Sequence, residues 1–258
     1  MRYSRRNTLR IGAGTLAGLG LVPAFGLTAR AQPALSHATD GGQIVIHPVS
    51  HASFAMEVPG MVIYADPVGD PAAYAGLPPP DLILVTHEHG DHYKAETLAG
   101  LVGAGTRLLT NPAVHAMLPA DLQARATAVA NGESTAANAI GIEAVPAYNT
   151  TADRLQYHPQ GRDNGYVLSI DGRRVYIAGD TEDIPEMRAL EGIDVAFLPM
   201  NLPYTMDVAQ AASAVAAFGP RVVYPYHYGE SDIPEFARLV TEGGGVTEVV
   251  IVDWYPDA

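Results

Sequence analysis

Leu82-Ile83-Leu84-Val85-Thr86-His87-Glu88-His89-Gly90-Asp91-His92 decides how this chain reads: an apolar run of strand length ends in three imidazoles and the Asp91 carboxylate. Four consecutive aliphatic residues bounded by polar ones read as a strand buried on both faces. In an extended segment alternate side chains share a face, so His87 and His89 can point at one ion. Gly90 then lets the backbone turn and swing Asp91 and His92 toward a second. Neutral imidazole and carboxylate are the usual ligands of zinc and other first-row dications. A lone histidine would carry no such message, but three at one strand end are hard to explain by packing.

The H-x-H-x-D-H order resembles the signature of the metallo-β-lactamase superfamily. Further pieces stand in that family's order: Ala65-Asp66-Pro67 upstream, then Ile177-Ala178-Gly179-Asp180-Thr181 and Pro225-Tyr226-His227-Tyr228-Gly229. The resemblance implies an α/β fold, a four-layer αβ/βα sandwich with metals at one edge between two sheets. It also implies that His87 and His89 serve a first metal, that Asp91, His92 and His227 serve a second, and that Asp180 bridges both. One expected ligand is replaced. Val145-Pro146-Ala147-Tyr148-Asn149 ends in asparagine where the family places a histidine, and an amide oxygen is a weak, uncharged ligand. His158, nine residues on, is the nearest substitute; the alternatives are Asn149 itself, or a His158 that is only a solvated loop residue. In the same family an acid at Asp66 supports the histidine loop from behind. His51 lies where relatives often carry a histidine near the mouth of the site, and is a candidate substrate contact.

The implied chemistry is hydrolysis. Two dications lower the pKa of a shared water from about 15.7 toward neutrality, which makes a metal-bound hydroxide nucleophile without an activated side chain. Asp91 is the candidate catalytic residue, orienting that hydroxide and passing a proton to the leaving group. Tyr204, on the loop after Pro199-Met200-Asn201-Leu202-Pro203, is a candidate substrate-binding phenol that can donate to a developing oxyanion or a phosphoryl oxygen. Tyr148, Tyr226 and Tyr228 stand near inferred ligands and suggest an aromatic pocket. Zinc is the first choice of ion, with manganese and iron as alternatives that ligand type cannot separate. The segments His51-Ala52-Ser53-Phe54, Gly179-Asp180-Thr181 followed by Ile184-Pro185-Glu186-Met187, and Tyr204-Thr205-Met206 look most like the branch holding ascorbate-phosphate lactonase-like and N-acyl-phosphatidylethanolamine phospholipase D-like hydrolases, a resemblance that implies a small-molecule ester, lactone or phosphodiester. The competing readings are a di-iron redox enzyme on the same scaffold and a non-catalytic binding protein.

The N-terminus addresses the compartment. Ser4-Arg5-Arg6-Asn7-Thr8-Leu9-Arg10, an apolar stretch from Ile11 to Leu27, and Ala29-Arg30-Ala31 read as a twin-arginine export signal over residues 1–31, removed to leave a hydrolase domain over 32–258 in the periplasm or outside the cell. The stretch is too short and glycine-rich to anchor the chain in a membrane. The export machinery is thus the expected protein partner. Without a cysteine there is no disulfide and no thiolate ligand. The net charge of −13 becomes −18 once the five arginines before residue 32 leave, a field that would repel nucleic acid.

Periodicity predicts strands at Gln43 to His47, Phe54 to Val58, Met61 to Ala65, Leu82 to Thr86, Arg107 to Leu109, Ile140 to Val145, Gly165 to Ile170, Arg174 to Ala178, Val195 to Leu198, Val222 to Tyr224 and Glu248 to Val252. Helices are predicted at Lys94 to Leu101, Asn111 to Leu118 and Met206 to Phe218, the last capped by Thr205 and stopped at Gly219-Pro220. Residues 32 to 40 read as a flexible leader.

Overall fold

The computed structural model describes residues 35–255. The export-signal reading falls on residues outside the described ones.

Two sheets of seven strands each form the framework. The first runs in chain order through β1 (Leu35–Ala38), β2 (Gln43–Ser50), β3 (Ser53–Val58), β4 (Met61–Ala65), β5 (Leu82–Val85), β6 (Arg107–Thr110) and β7 (Ala126–Ala128). The second is ordered in the same way through β8 (Ser134–Ala137), β9 (Ile140–Ala147), β10 (Asp163–Ile170), β11 (Arg173–Ile177), β12 (Val195–Pro199), β13 (Val222–Tyr226) and β14 (Glu248–Val249). Each sheet begins as an antiparallel meander and turns parallel at its fourth strand, β4 to β7 in one and β11 to β14 in the other. The described helices are α1 (Ala95–Leu101), α2 (Pro112–Met117), α3 (Ala120–Gln123), α4 (Pro185–Arg188), α5 (Val208–Phe218) and α6 (Ile233–Glu242).

Burial explains the layering. Along β5, Leu82 and Leu84 enter a core shared with the second sheet, while Ile83 and Val85 pack outward with Leu98, Val114 and Leu122 of the first-half helices. Along β12, Val195 and Phe197 face inward, and Ala196 and Leu198 pack against Ala211, Val215 and Phe236 of α5 and α6. Strands covered on both faces must be apolar throughout, which is why β5 shows no polar alternation. The result is a helix, sheet, sheet, helix sandwich, the α/β architecture expected. Between the sheets Phe54 stacks on Phe197 at 4.3 Å, and Trp254 packs edge-on against both.

Parallel strands in such sandwiches deliver functional loops from their carboxyl ends. Here Asp66 follows β4, His87 follows β5, Asp180 follows β11, Tyr204 lies beyond β12 and His227 follows β13, so one edge collects them all. The two sheets meet closely at that edge. Tyr166 Oη donates to the Val85 carbonyl at 2.9 Å, and the Asn164 amide donates to the Thr86 carbonyl at 3.1 Å. Within the second sheet, Gly165 of β10 makes room for the end of β11: a Cβ there would lie 2.6 Å from the Ala178 carbonyl oxygen. Gly165→Ala is therefore expected to destabilise the fold by about 1–3 kcal/mol, the usual range for overpacking, as read from chemical denaturation. An unchanged midpoint would contradict this close packing.

Several predicted elements shift. Residues 35–38 are not a leader but an edge strand paired with β2. The predicted strand to Val252 shortens to Glu248–Val249. Helix α5 is capped by Asp207 in a capping box with Gln210, not by Thr205, because the Thr205 hydroxyl instead accepts from the Asn201 amide. Gly219 closes α5 in the left-handed region, as its position predicted. Among the described residues, no helix is long and apolar enough to cross a membrane.

Candidate metal centre

Three non-glycine residues at this edge hold backbone conformations that L-residues rarely adopt: His51 at φ 55°, Asp66 at φ 44° and His227 at φ 47°. Such strain persists only where surrounding contacts impose it, and it clusters at functional sites.

The site is assembled from behind. Asp66 is fully buried; its Oδ1 accepts from the Thr86 amide at 2.7 Å, and its Oδ2 accepts from Thr86 Oγ1 at 2.6 Å and from His92 Nδ1 at 2.8 Å. With its hydroxyl proton given to Asp66, Thr86 Oγ1 accepts from His87 Nδ1 at 3.0 Å. In their neutral forms both rings thereby carry the proton on Nδ1 and turn Nε2 inward as an acceptor.

Two groups of ligand-type atoms result. In the first, the ligand atoms of His87, His89, His158 and Asp180 all lie within 4.8 Å of one another. His89 Nδ1 is 3.1 Å from both His87 Nε2 and His158 Nε2, and Asp180 Oδ2 is 3.4 Å from His158 Nε2 and 3.8 Å from His87 Nε2. In the second, His51, Asp91, His92 and His227 gather under the same limit. Asp180 reaches this group too, with Oδ1 3.3 Å from His92 Nε2 and Oδ2 3.3 Å from His227 Nε2.

The donor set fits a cation. Tetrahedral zinc with bonds of about 2.0–2.1 Å has ligand–ligand edges of roughly 3.3–3.5 Å, close to these separations. His92 Nε2, His227 Nε2 and Asp180 Oδ1 are buried without a hydrogen-bond partner. Orphaned polar atoms of this kind carry a desolvation penalty that a bound ion removes. The electrostatics agree. Burial alone would raise the Asp180 carboxyl, but His227 and His92 hold it well below the ordinary range. Burial would lower His92, but the Asp180 and Asp66 carboxylates hold it well above. Burial drives His87 well below its ordinary value, and His92 adds to that. For Asp91, hydrogen bonds from His227 and His51 outweigh burial and keep it ionised.

Asn149 and His158 are bonded to each other. Asn149 Oδ1 accepts from His158 Nδ1 at 2.7 Å, which turns the ring and leaves Nε2 in the first group, while Asn149 Nδ2 donates to the Tyr204 carbonyl at 2.8 Å. Asn149 thus stands behind His158 instead of beside the other ligand-type atoms.

An open cavity of about 410 Å³ leads to both groups, lined by His89, Asp91, Tyr157, His158, Asp180 and Tyr204. Tyr204 is 45% exposed on this cavity and edge-on to Tyr157 at 5.0 Å. Sequence reading missed Tyr157, whose one signal is its place beside His158. It also placed the wrong phenols here. Tyr226 points into the sheet core, Tyr148 donates to Glu186 and Tyr228 to the Val252 carbonyl. His51 does not line the cavity as a substrate contact would. It sits behind Asp91, with Nε2 3.1 Å from Asp91 Oδ2, Nδ1 2.9 Å from Tyr255 Oη, and its ring 3.8 Å from that of His227. His37 and His47 lie outside both groups and bond to Tyr224 and Glu57.

Comparison with known proteins agrees with this geometry. A family model described as a β-lactamase superfamily domain matches residues 45–227. A UPF0173 metal-dependent hydrolase of Pyrococcus abyssi is 33% identical over 219 residues, 79% of this chain and 94% of its own. A Parabacteroides distasonis crystal structure, described as a metal-dependent hydrolase, superposes with a TM-score of 0.78 at 41% identity, covering 85% of this chain and 97% of that one. A metallo hydrolase of Ignicoccus hospitalis superposes with a TM-score of 0.68 at 26% identity over 81% of this chain and 95% of that one. The motifs, the layered fold and these likenesses converge: the chain belongs to the metallo-β-lactamase superfamily.

Proposed function

We propose that this protein is a dinuclear metal-dependent hydrolase acting on a small-molecule ester, lactone or phosphodiester. The observation that carries the reading is Asp180, one buried carboxylate whose two oxygens reach two separate groups of imidazole nitrogens. In this reading His87, His89 and His158 hold one ion, Asp91, His92 and His227 the other, and Asp180 both. The names of relatives in the superfamily support hydrolysis. Zinc suits a tetrahedral set of three imidazoles and a carboxylate.

The ions, when bound, supply Lewis acidity and a water acidified to near neutral pH. The chain does the rest. Asp91, its side chain half exposed at the cavity wall, is the acid open to solvent and takes the proton that must reach the leaving group. His51 holds Asp91 in place through the 3.1 Å hydrogen bond, and Tyr255 holds His51. Tyr204 offers its phenol to the oxygen on which charge develops. Its edge-on partner Tyr157 gives the cavity an apolar wall for the remainder of the substrate.

The test is a panel of lactones, phosphodiesters, phosphomonoesters and β-lactams, offered to purified protein replete with zinc, manganese or iron. Hydrolysis of a lactone, ester or phosphodiester is expected, with β-lactam cleavage weak. Inertness toward the entire panel with every metal would overturn the reading. As part of the same proposal, the export-signal reading of residues 1–31 puts this activity in the periplasm or outside the cell.

A further inference from the structure

We propose that Glu182 is a positioning residue for the first ligand group, acting through the loop that carries His158. Residues 148–162 contain no helix or strand, so no ladder of backbone bonds fixes His158, only the bond from the Asn149 amide to its carbonyl. Long irregular connections of this kind are held, where they are held, by side chains. Glu182 is the side chain at the base of this one. It is fully buried, takes no part in the chemistry above, and follows Asp180 by two positions. Its Oε2 accepts from the Thr150 amide at 2.6 Å, from Thr150 Oγ1 at 2.9 Å and from the Thr151 amide at 2.7 Å. Its Oε1 accepts from Thr151 Oγ1 at 2.8 Å and pairs with the Arg154 guanidinium at 2.5 Å.

Only an ionised carboxylate, acceptor at both oxygens, satisfies so many converging donors; an amide would turn its own N–H groups against some of them. Arg154 offsets the burial of the charge and extends the clamp, donating also to Thr151 Oγ1 at 2.7 Å and to the Thr205 carbonyl at 2.9 Å. The Glu182 amide donates to the Tyr148 carbonyl, and the Asn149 amide to the His158 carbonyl, both at 2.9 Å. The segment bearing Asp180 and the loop bearing His158 are therefore one body. Glu182 sets the 3.4 Å approach of His158 Nε2 to Asp180 Oδ2. A histidine delivered already in place loses less freedom on binding an ion than one on a free loop.

The inference rests on the metal reading above, and its test separates the two. Metal affinity is measured by chelator competition on Co²⁺-loaded protein, with visible absorption reporting the coordination of each ion. Thermal melts report folding. Glu182→Gln is expected to fold, to bind one of its ions roughly 10–100-fold more weakly, the usual effect of removing a group that orients a ligand, and to leave the other ion unchanged. His158→Ala should weaken the same ion, and the double variant should be no weaker than His158→Ala alone. Wild-type affinity in Glu182→Gln, weakening of both ions alike, or additive effects in the double variant would overturn the inference. Unchanged metal binding in His158→Ala would instead remove the metal reading. Should Glu182→Gln fail to fold, Arg154→Gln breaks the same clamp from the other side, and wild-type affinity there would be equally fatal.

Discussion

Asp91→Asn should leave a folded protein whose turnover falls by roughly 10³-fold or more, the scale on which a positioned proton-transfer group contributes. The amide keeps the shape of the carboxylate, so neighbouring residues need not move. Asp91 is half exposed and outside the hydrophobic core, so little stability depends on it. What changes is charge and basicity at one atom. Oδ2 lies 3.1 Å from His51 Nε2, 3.4 Å from His227 Nε2 and 3.9 Å from His92 Nε2, so it faces both the second ligand group and the histidine behind it. An amide neither takes up a proton there nor balances a cation. The measurement is kcat on the best substrate of the panel at saturating metal, beside a thermal melt. A matching melt with activity lost is the expected result; activity within tenfold of wild type would refute the role given to Asp91.

Removal of the ions should have the larger effect, abolishing activity and also lowering stability. An ion held at 100 times its dissociation constant stabilises the folded state by about 2.7 kcal/mol. For a domain of this size that corresponds to a fall in Tm of roughly 5–10 °C. The structural cause is specific. Without ions the buried nitrogens His92 Nε2 and His227 Nε2 and the oxygen Asp180 Oδ1 lack hydrogen-bond partners, while His89 Nδ1 faces His87 Nε2 and His158 Nε2 at 3.1 Å each. Scanning calorimetry with and without a chelator, followed by readdition of single metals, measures both consequences. Equal melting temperatures and undiminished activity in the chelated protein would contradict the account.

The parts of this molecule that sequence made legible are those with local causes. The run Leu82 to Val85 is apolar on both faces because helices cover one and the second sheet covers the other, and the histidines follow it by chain connectivity alone. The same holds for Asp180 and His227, each at the end of a buried parallel strand. What escaped depends on contacts distant in sequence. Sequence names His158 as a candidate but leaves its role open, because the residue sits on a loop without periodicity, where it is held by Asn149 and the loop by Glu182 and Arg154. Leu35–Ala38 is a short edge strand with one partner, and its composition does not distinguish it from a leader. Tyr226 obeys the strand period into the core, and that overrides its nearness to His227 in sequence. Helix α6 is not among the predicted elements although its signal is present. Asp232 caps it, Pro234 occupies its first turn, and Ile233, Phe236 and Val240 recur at helical spacing.

The central claim is that residues far apart along the chain grip two cations through one shared carboxylate. Anomalous diffraction at the metal absorption edges, from crystals of the metal-replete protein, tests it most directly. The account predicts two peaks, one about 2.0–2.2 Å from the ligand atoms of His87, His89, His158 and Asp180. The other should lie at the same distance from those of Asp91, His92, His227 and Asp180. A map with no peak at this edge, or with Asp180 bound to neither ion, would contradict it.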